Sequence, residues 1–135
     1  MKVGLLIITH NRIGDTLLET AVNMLGGVCP IPFEIIPVTT GSNPDQLLQL
    51  AKSRLESLDQ GRGVIVLTDI YGSTPSNIAT RLCGHNDRVV VIAGINLPML
   101  IRLLNYPNLN LTQLADKALS GGQEGILLSC DGVDK

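Results

Sequence analysis

The 135-residue chain has no tryptophan, one phenylalanine and two tyrosines, so aromatics make up only 2% of it. A surface that stacks single-stranded nucleic acid needs aromatic platforms, and this scarcity excludes one. Charge is equally sparse. Ten Lys and Arg against twelve Asp and Glu leave a net −2, which does not draw in a phosphate backbone. The cysteines Cys29, Cys83 and Cys130 are odd in number and far apart. That spacing excludes a C-x-x-C redox pair and a spaced zinc framework. They read as small buried or half-buried side chains in a reducing cytoplasm. No apolar run approaches the roughly 18 residues of a membrane span. The opening run Val3–Ile8 is too short for a signal peptide, and His10, Asn11 and Arg12 end it with no small-residue cleavage site. The nucleotide motifs G-x-x-x-x-G-K-S/T and G-x-G-x-x-G are absent, as is the G-x-S-x-G elbow. No repeat, low-complexity segment or linker interrupts the chain, and a soluble cytoplasmic protein is expected.

What is present is aliphatic. Hydrophobic residues make up 44% and charged residues 16%, the reverse of a disordered chain. A protein of this size folds to roughly 6,800 Å² of surface from roughly 21,000 Å² unfolded. One domain over residues 1–135 can therefore bury a core without metal or disulfide support.

Val3–Thr9 and Gly63–Thr68 are continuous apolar runs that read as buried strands, and Phe33–Val38 and Val89–Ala93 read as two further short strands. Helical spacing fills the gaps. Ile13, Leu17, Leu18, Ala21, Val22 and Leu25 form one face, stopped by Gly26-Gly27. Asn43 caps a second helix, with Pro44 at its first position and Gln46 completing a capping box. The apolar face of that helix is Leu47, Leu50, Ala51, Leu55 and Leu58. Thr74-Pro75 reads as cap and first position of a third helix, to about Leu82. Leu97-Pro98 opens a fourth through Met99, Leu100, Leu103 and Leu104. A last helix covers about Thr112–Leu119 and ends at Gly121-Gly122, and Gly125–Ser129 reads as a short terminal strand. Alternation of this kind gives an α/β fold: a doubly wound, mainly parallel sheet of four strands plus a short C-terminal strand, with helices on both faces.

In such a sheet, ligands sit beyond the carboxyl ends of the strands, near the point where strand order reverses. Four places qualify: Thr9–Arg12, Thr39–Ser42, Asp69–Pro75 and Gly94–Asn96. If the first and third strands are neighbours, His10 and Asp69 enter one crevice. A carboxylate that holds one imidazole nitrogen fixes the tautomer and leaves the other nitrogen as a nucleophile. The turn after Asp69 leads into a helix N-terminus, which favours anions. Gly72, Ser73 and Thr74 are its candidate phosphate ligands. A nucleophilic histidine beside an anion cradle suits transient capture of a phosphoryl group. Each residue also has a plainer reading: His10 as a turn residue, Asp69 as a turn carboxylate, Thr74 as a cap. Arg12 either faces the phosphate or is a solvated cation. Tyr71 either flanks the site or covers the loop half-buried. His85 lies between a helix and the next strand, at the far end of the sheet, and reads as structural or solvent-exposed.

The opening strand that ends in Thr9-His10, the run Leu67–Asn77 and the run Ala93–Leu100 resemble the IIA domain of the mannose class of the bacterial phosphoenolpyruvate:sugar phosphotransferase system. The Gly121–Gly125 segment fits the family's ending. The resemblance implies a doubly wound α/β homodimer to which the C-terminal strand contributes. It implies that the phosphocarrier protein HPr, in its phospho form, donates to Nε2 of the histidine that matches His10. Asp69 matches the family aspartate that binds the other ring nitrogen, and the phosphoryl group passes on to a IIB protein. Thr74 stands where a serine is usual, and Ser73 where a glycine is common. No cofactor and no metal are implied, no nucleic acid partner is expected, and a membrane is met only through a permease complex. A stand-alone IIA protein is expected, since no IIB domain follows before Lys135. Three other functions are weighed beside sugar uptake. They are a regulatory module that reports the phosphorylation state of His10, the phosphotransfer subunit of dihydroxyacetone kinase, and a flavodoxin-shaped binding module.

Overall fold

The computed structural model describes residues 1–84 and 88–133. The reading of His85 therefore lies outside the described residues. Four strands, β1 (Gly4–His10), β2 (Phe33–Val38), β3 (Val64–Thr68) and β4 (Val89–Ala93), alternate with α1 (Ile13–Met24), α2 (Pro44–Leu58), α3 (Thr74–Cys83) and α4 (Leu97–Leu104). A final helix, α5 (Leu111–Glu124), follows α4 directly. All pairings are parallel and the strand order is β2-β1-β3-β4. The order reverses between β1 and β3, where Ile8 sits opposite Thr68.

The buried strands are apolar on both faces because helices cover both. Leu5, Leu6, Ile7 and Ile8 of β1 are fully buried, as are Val64 to Leu67 of β3. Leu5, Ile7, Ile65 and Leu67 pack with Leu18, Ala21, Leu100, Leu103 and Leu114, under α1, α4 and α5. Leu6, Ile8, Val64 and Val66 pack with Leu48, Ala51, Leu55, Ile78 and Leu82, under α2 and α3. Fully burying a Leu or Ile stabilises by about 1.5–3 kcal/mol, so these two aliphatic layers carry the fold without aromatics.

Several sequence expectations change. Leu48, not Leu50, is buried on α2, while Leu50 is exposed. The face is then Leu48, Ala51, Leu55 and Leu58, a cleaner helical repeat. The Asn43 side chain caps α2 by accepting from Asp45 N–H and Gln46 N–H. The described capping box belongs instead to Asn110 and Gln113 at α5. The cap position of α3 is Ser73, and Thr74 is already helical. Gly121 and Gly122 do not end α5. They lie inside it and are buried, because a side chain there would strike α4. A Cβ at Gly121 would stand 2.6 Å from Arg102 Cβ, and one at Gly122 would stand 2.8 Å from Met99 Cε.

Gly125–Ser129 forms no strand among the described residues. α5 runs on to Glu124, and the residues after it meet no ladder partner among the described residues. Ile126, Leu127 and Leu128 are left about four-fifths exposed, at 78%, 80% and 81%. The total surface is 7477 Å², above the roughly 6,800 Å² expected for this mass. Cys29 is half-buried, but Cys83 and Cys130 are exposed. Cys83 is the last residue of α3, and Cys130 lies in the exposed segment after α5. No helix among the described residues is long and apolar enough to cross a membrane.

Candidate functional site

β1 delivers His10 to the sheet's carboxyl edge at the reversal point, and Asp69 leaves β3 beside it. Asp69 Oδ2 lies 2.8 Å from His10 Nδ1 and also accepts the His10 backbone N–H at 2.9 Å. Asp69 Oδ1 accepts the Ile70 N–H at 2.9 Å. With the carboxylate on Nδ1, the hydrogen-bond network assigns the proton to that nitrogen. Nε2 then keeps its lone pair. The His10 side chain is 43% exposed, and that of Asp69 is 12% exposed. Burial pushes the Asp69 carboxyl up, but the hydrogen bonds from the His10 backbone, the His10 ring and the Ile70 N–H outweigh it. Its net pKa is lowered, so it is an anion at neutral pH.

Two local features hold this geometry. Asn11 adopts a left-handed conformation, with φ 49°, which asparagine tolerates better than most residues. The chain thus turns sharply just after His10. The fully buried Thr9 accepts the Gly14 N–H on Oγ1 at 2.8 Å. That bond satisfies an orphan donor at the start of α1, where Arg12 provides no side-chain cap.

A cleft of about 260 Å³ opens beside His10, lined by Asn11, Val38, Thr39, Thr40, Ser42, Pro44 and Thr74. The structure brings Thr74 to it, while Gly72 and Ser73 are not part of its lining. Their donors are turned inward. The Gly72 N–H donates to Ser76 Oγ at 3.3 Å, and Ser73 donates to the Ile70 carbonyl through both N–H and hydroxyl. Arg12 is 77% exposed and its guanidinium is held by Asp15 through Nε at 3.2 Å and Nη2 at 2.9 Å. Tyr71 is 86% exposed and lines a groove along Val90–Ala93 of β4 with Ala115 and Leu119. It is neither in the cleft nor half-buried.

The strand-end rule marked Thr39–Ser42 as one of four places, yet no charged or nucleophilic residue there drew attention. The juxtaposition comes from β2 pairing with β1, which sets Val38 opposite His10. Asn11 carried a signal in its residue type, since left-handed turns favour it, but no pattern located the turn.

The chain matches a family model, EIIA-man, described as the PTS system fructose IIA component, over residues 4–118. It is 31% identical over 128 residues to the "PTS system mannose-specific EIIAB component" of Escherichia coli (strain K12), with 93% of this chain and 39% of that protein covered. This chain thus corresponds to well under half the length of that relative. It is 29% identical over 115 residues to the "Transcriptional regulatory protein LevR" of Bacillus subtilis (strain 168), covering 82% of this chain and 12% of that protein. Among solved structures, a mannose/sorbose specific IIA subunit of the phosphotransferase system from Enterococcus faecalis superposes with a TM-score of 0.85. The sequence identity is 24%, and 100% of both chains is covered; at that identity the likeness speaks to the fold.

Proposed function

Because the chain belongs to the EIIA-man family of phosphotransferase-system IIA components, we propose that it carries a phosphoryl group on His10 Nε2. In this reading phospho-HPr is the donor and a IIB protein the acceptor, in phosphoenolpyruvate-dependent sugar uptake at the cytoplasmic side. The observation that carries the proposal is the double hold of Asp69 Oδ2 on His10.

The chemistry needs little else. The Nε2 lone pair attacks phosphorus, the bond from phosphorus to the donor breaks, and its electron pair leaves with the donor. The Nδ1 proton stays in place, so the ring becomes cationic while it faces a carboxylate that lies below its usual pKa. Transfer of this kind depends mainly on positioning and charge stabilisation. Partial exposure of His10 lets two protein partners reach it in turn. Thr74, at the first position of α3, is the proposed hydroxyl ligand from the loop after β3. Gly72 and Ser73 shape that loop, and Arg12, held by Asp15, is not a phosphate ligand in this reading.

A homodimer belongs to the same proposal. The exposed Ile126–Leu128 segment supports it, as does the apolar groove along the open edge of β4. A second reading, in which phosphorylation of His10 reports to a regulator, draws on the likeness to LevR.

The test is intact-mass spectrometry after incubation with phosphoenolpyruvate, enzyme I and HPr. The expected result is a gain of one acid-labile phosphoryl group that His10→Ala abolishes. An unchanged gain in His10→Ala removes His10 as the acceptor.

A further inference from the structure

We propose that the Thr39–Ser42 hydroxyl pair in the β2–α2 turn is the wall of the cleft that binds the oxygens of the phosphoryl group, with one shared, uncommitted proton. This rests on the reading of His10 as the phosphoryl acceptor.

Cationic and backbone donors are scarce at the cleft. Neither lysine nor arginine lines the cleft, and Arg12 is engaged by Asp15. The backbone N–H groups nearest the nucleophile are spent, that of His10 on Asp69 and that of Asn11 on the Val38 carbonyl at 2.9 Å. Those of Gly72 and Ser73 are spent within their own loop. At the head of α2, the Asn43 side chain takes the Asp45 and Gln46 N–H groups, and its carbonyl takes that of Leu47 at 3.0 Å. Among the described residues, the side chains on the cleft lining that can donate to anionic oxygens are therefore the Asn11 amide and the hydroxyls of Thr39, Thr40, Ser42 and Thr74.

The two hydroxyls hold one proton more than their mutual contact uses. Ser42 Oγ accepts the Thr39 N–H at 3.0 Å and lies 3.0 Å from Thr39 Oγ1. Two hydroxyl protons are available, and the contact between the two oxygens uses one of them. If Thr39 donates to Ser42, the Ser42 proton is free; if Ser42 donates, the Thr39 proton is free. Either way the pair keeps one O–H to donate to a ligand.

The pair is also fixed in place. The Ser42 N–H returns to the Thr39 carbonyl at 3.1 Å, which closes the turn. The bond from Asn11 to Val38 ties that turn to the residue after His10. A donor held in place before the ligand arrives stabilises charge without reorganising. Neutral donors also hold the group less tightly than a cation clamp, which suits a carrier that must release it.

A shared proton predicts non-additivity. Thr39→Val leaves the Ser42 hydroxyl free to donate, and Ser42→Ala leaves that of Thr39. Each single variant therefore stays within about threefold of wild type, whereas the double variant loses the donor that the pair keeps free. A hydrogen bond to a charged group contributes about 1.5–3 kcal/mol, or roughly tenfold to hundredfold.

The experiment uses the full chain with two readouts. One is the equilibrium of phosphoryl exchange with HPr, measured by intact mass. The other is inorganic phosphate titrated against the amide resonances of Asn11, Thr39, Ser42 and Thr74. The expected result is a loss of about tenfold or more in both readouts for the double variant only, while Thr39→Val combined with Ser42→Thr, which keeps one hydroxyl, stays within about threefold of wild type as a check on folding. A double variant equal to wild type overturns the proposal, and so do singles that each lose as much as the double. Phosphate binding that depends on the pair, in a wild-type protein that takes no phosphoryl group, sustains the hydroxyl wall and rejects the carrier reading. A wild type that takes the phosphoryl group but shows no dependence on the pair in either readout rejects the wall alone. A wild type that neither takes the phosphoryl group nor shifts with phosphate rejects both.

Discussion

Asp69 Oδ2 grips His10 twice, through the ring Nδ1 at 2.8 Å and through the backbone N–H at 2.9 Å. One oxygen thus sets both the position of the strand end and the orientation of the ring. The role proposed for His10 follows from that bond, since it leaves Nε2 as the free nitrogen.

Asp69→Asn tests the consequence for rate. An amide can accept from Nδ1 but brings no negative charge to the cationic ring. Phosphoryl transfer is expected to slow by roughly tenfold to hundredfold, the worth of a charge-assisted hydrogen bond. Rapid-quench transfer from phospho-HPr measures this, and a wild-type rate contradicts the proposed role of Asp69.

The same carboxylate makes stability depend on acid. Its folded pKa lies below the usual 3.8, so its contribution is complete above that value. The contribution is lost as pH falls through the lowered folded pKa. Urea unfolding is expected to show the gap between wild type and Asp69→Asn shrinking as pH falls below about 4. A gap that widens from about pH 4 downward contradicts the lowered pKa.

Thr9→Val keeps the shape and β-branching of the side chain but strands the buried Gly14 N–H. An unsatisfied buried donor costs about 1–3 kcal/mol, and thermal unfolding should register a loss of that order. An unchanged melting temperature would show that the Thr9–Gly14 bond does not anchor α1.

Gly121 and Gly122 separate a rigid contact from a yielding one. At Gly121 the added Cβ meets Arg102 Cβ, close to the α4 backbone. At Gly122 its nearest neighbour is the far end of the Met99 side chain, Cε at 2.8 Å, which has more torsions through which to give way. Alanine gains about 1 kcal/mol of helix propensity at both, while overpacking costs about 1–3 kcal/mol where nothing can move. Gly121→Ala is expected to be the less stable of the two by chemical unfolding, and the reverse order contradicts the α4–α5 packing.

The glycine pair also shows where sequence reading runs out. Adjacent glycines signal a helix stop, and the same residues permit close approach of two helices. Only the neighbouring α4 decides between these meanings. Gly125–Ser129 has the composition of a strand, but a strand exists only with a ladder partner, and no partner is identifiable from a single sequence. The sheet and the His10–Asp69 pair were legible because strands buried on both faces are unbroken apolar runs, and because an α/β sheet confines its ligands to strand ends. The Thr39–Ser42 turn was legible as one of the four strand ends, but not as the wall of the cleft beside His10. Its residues are ordinary turn formers, and β2 could have paired elsewhere.

The most direct test of the central claim is a long-range 1H–15N spectrum of the His10 ring in the phosphorylated protein. The account predicts 31P coupling at Nε2, with the proton retained on Nδ1 against Asp69. Coupling at Nδ1, or a phosphorylated protein whose His10 ring carries no coupling, contradicts it.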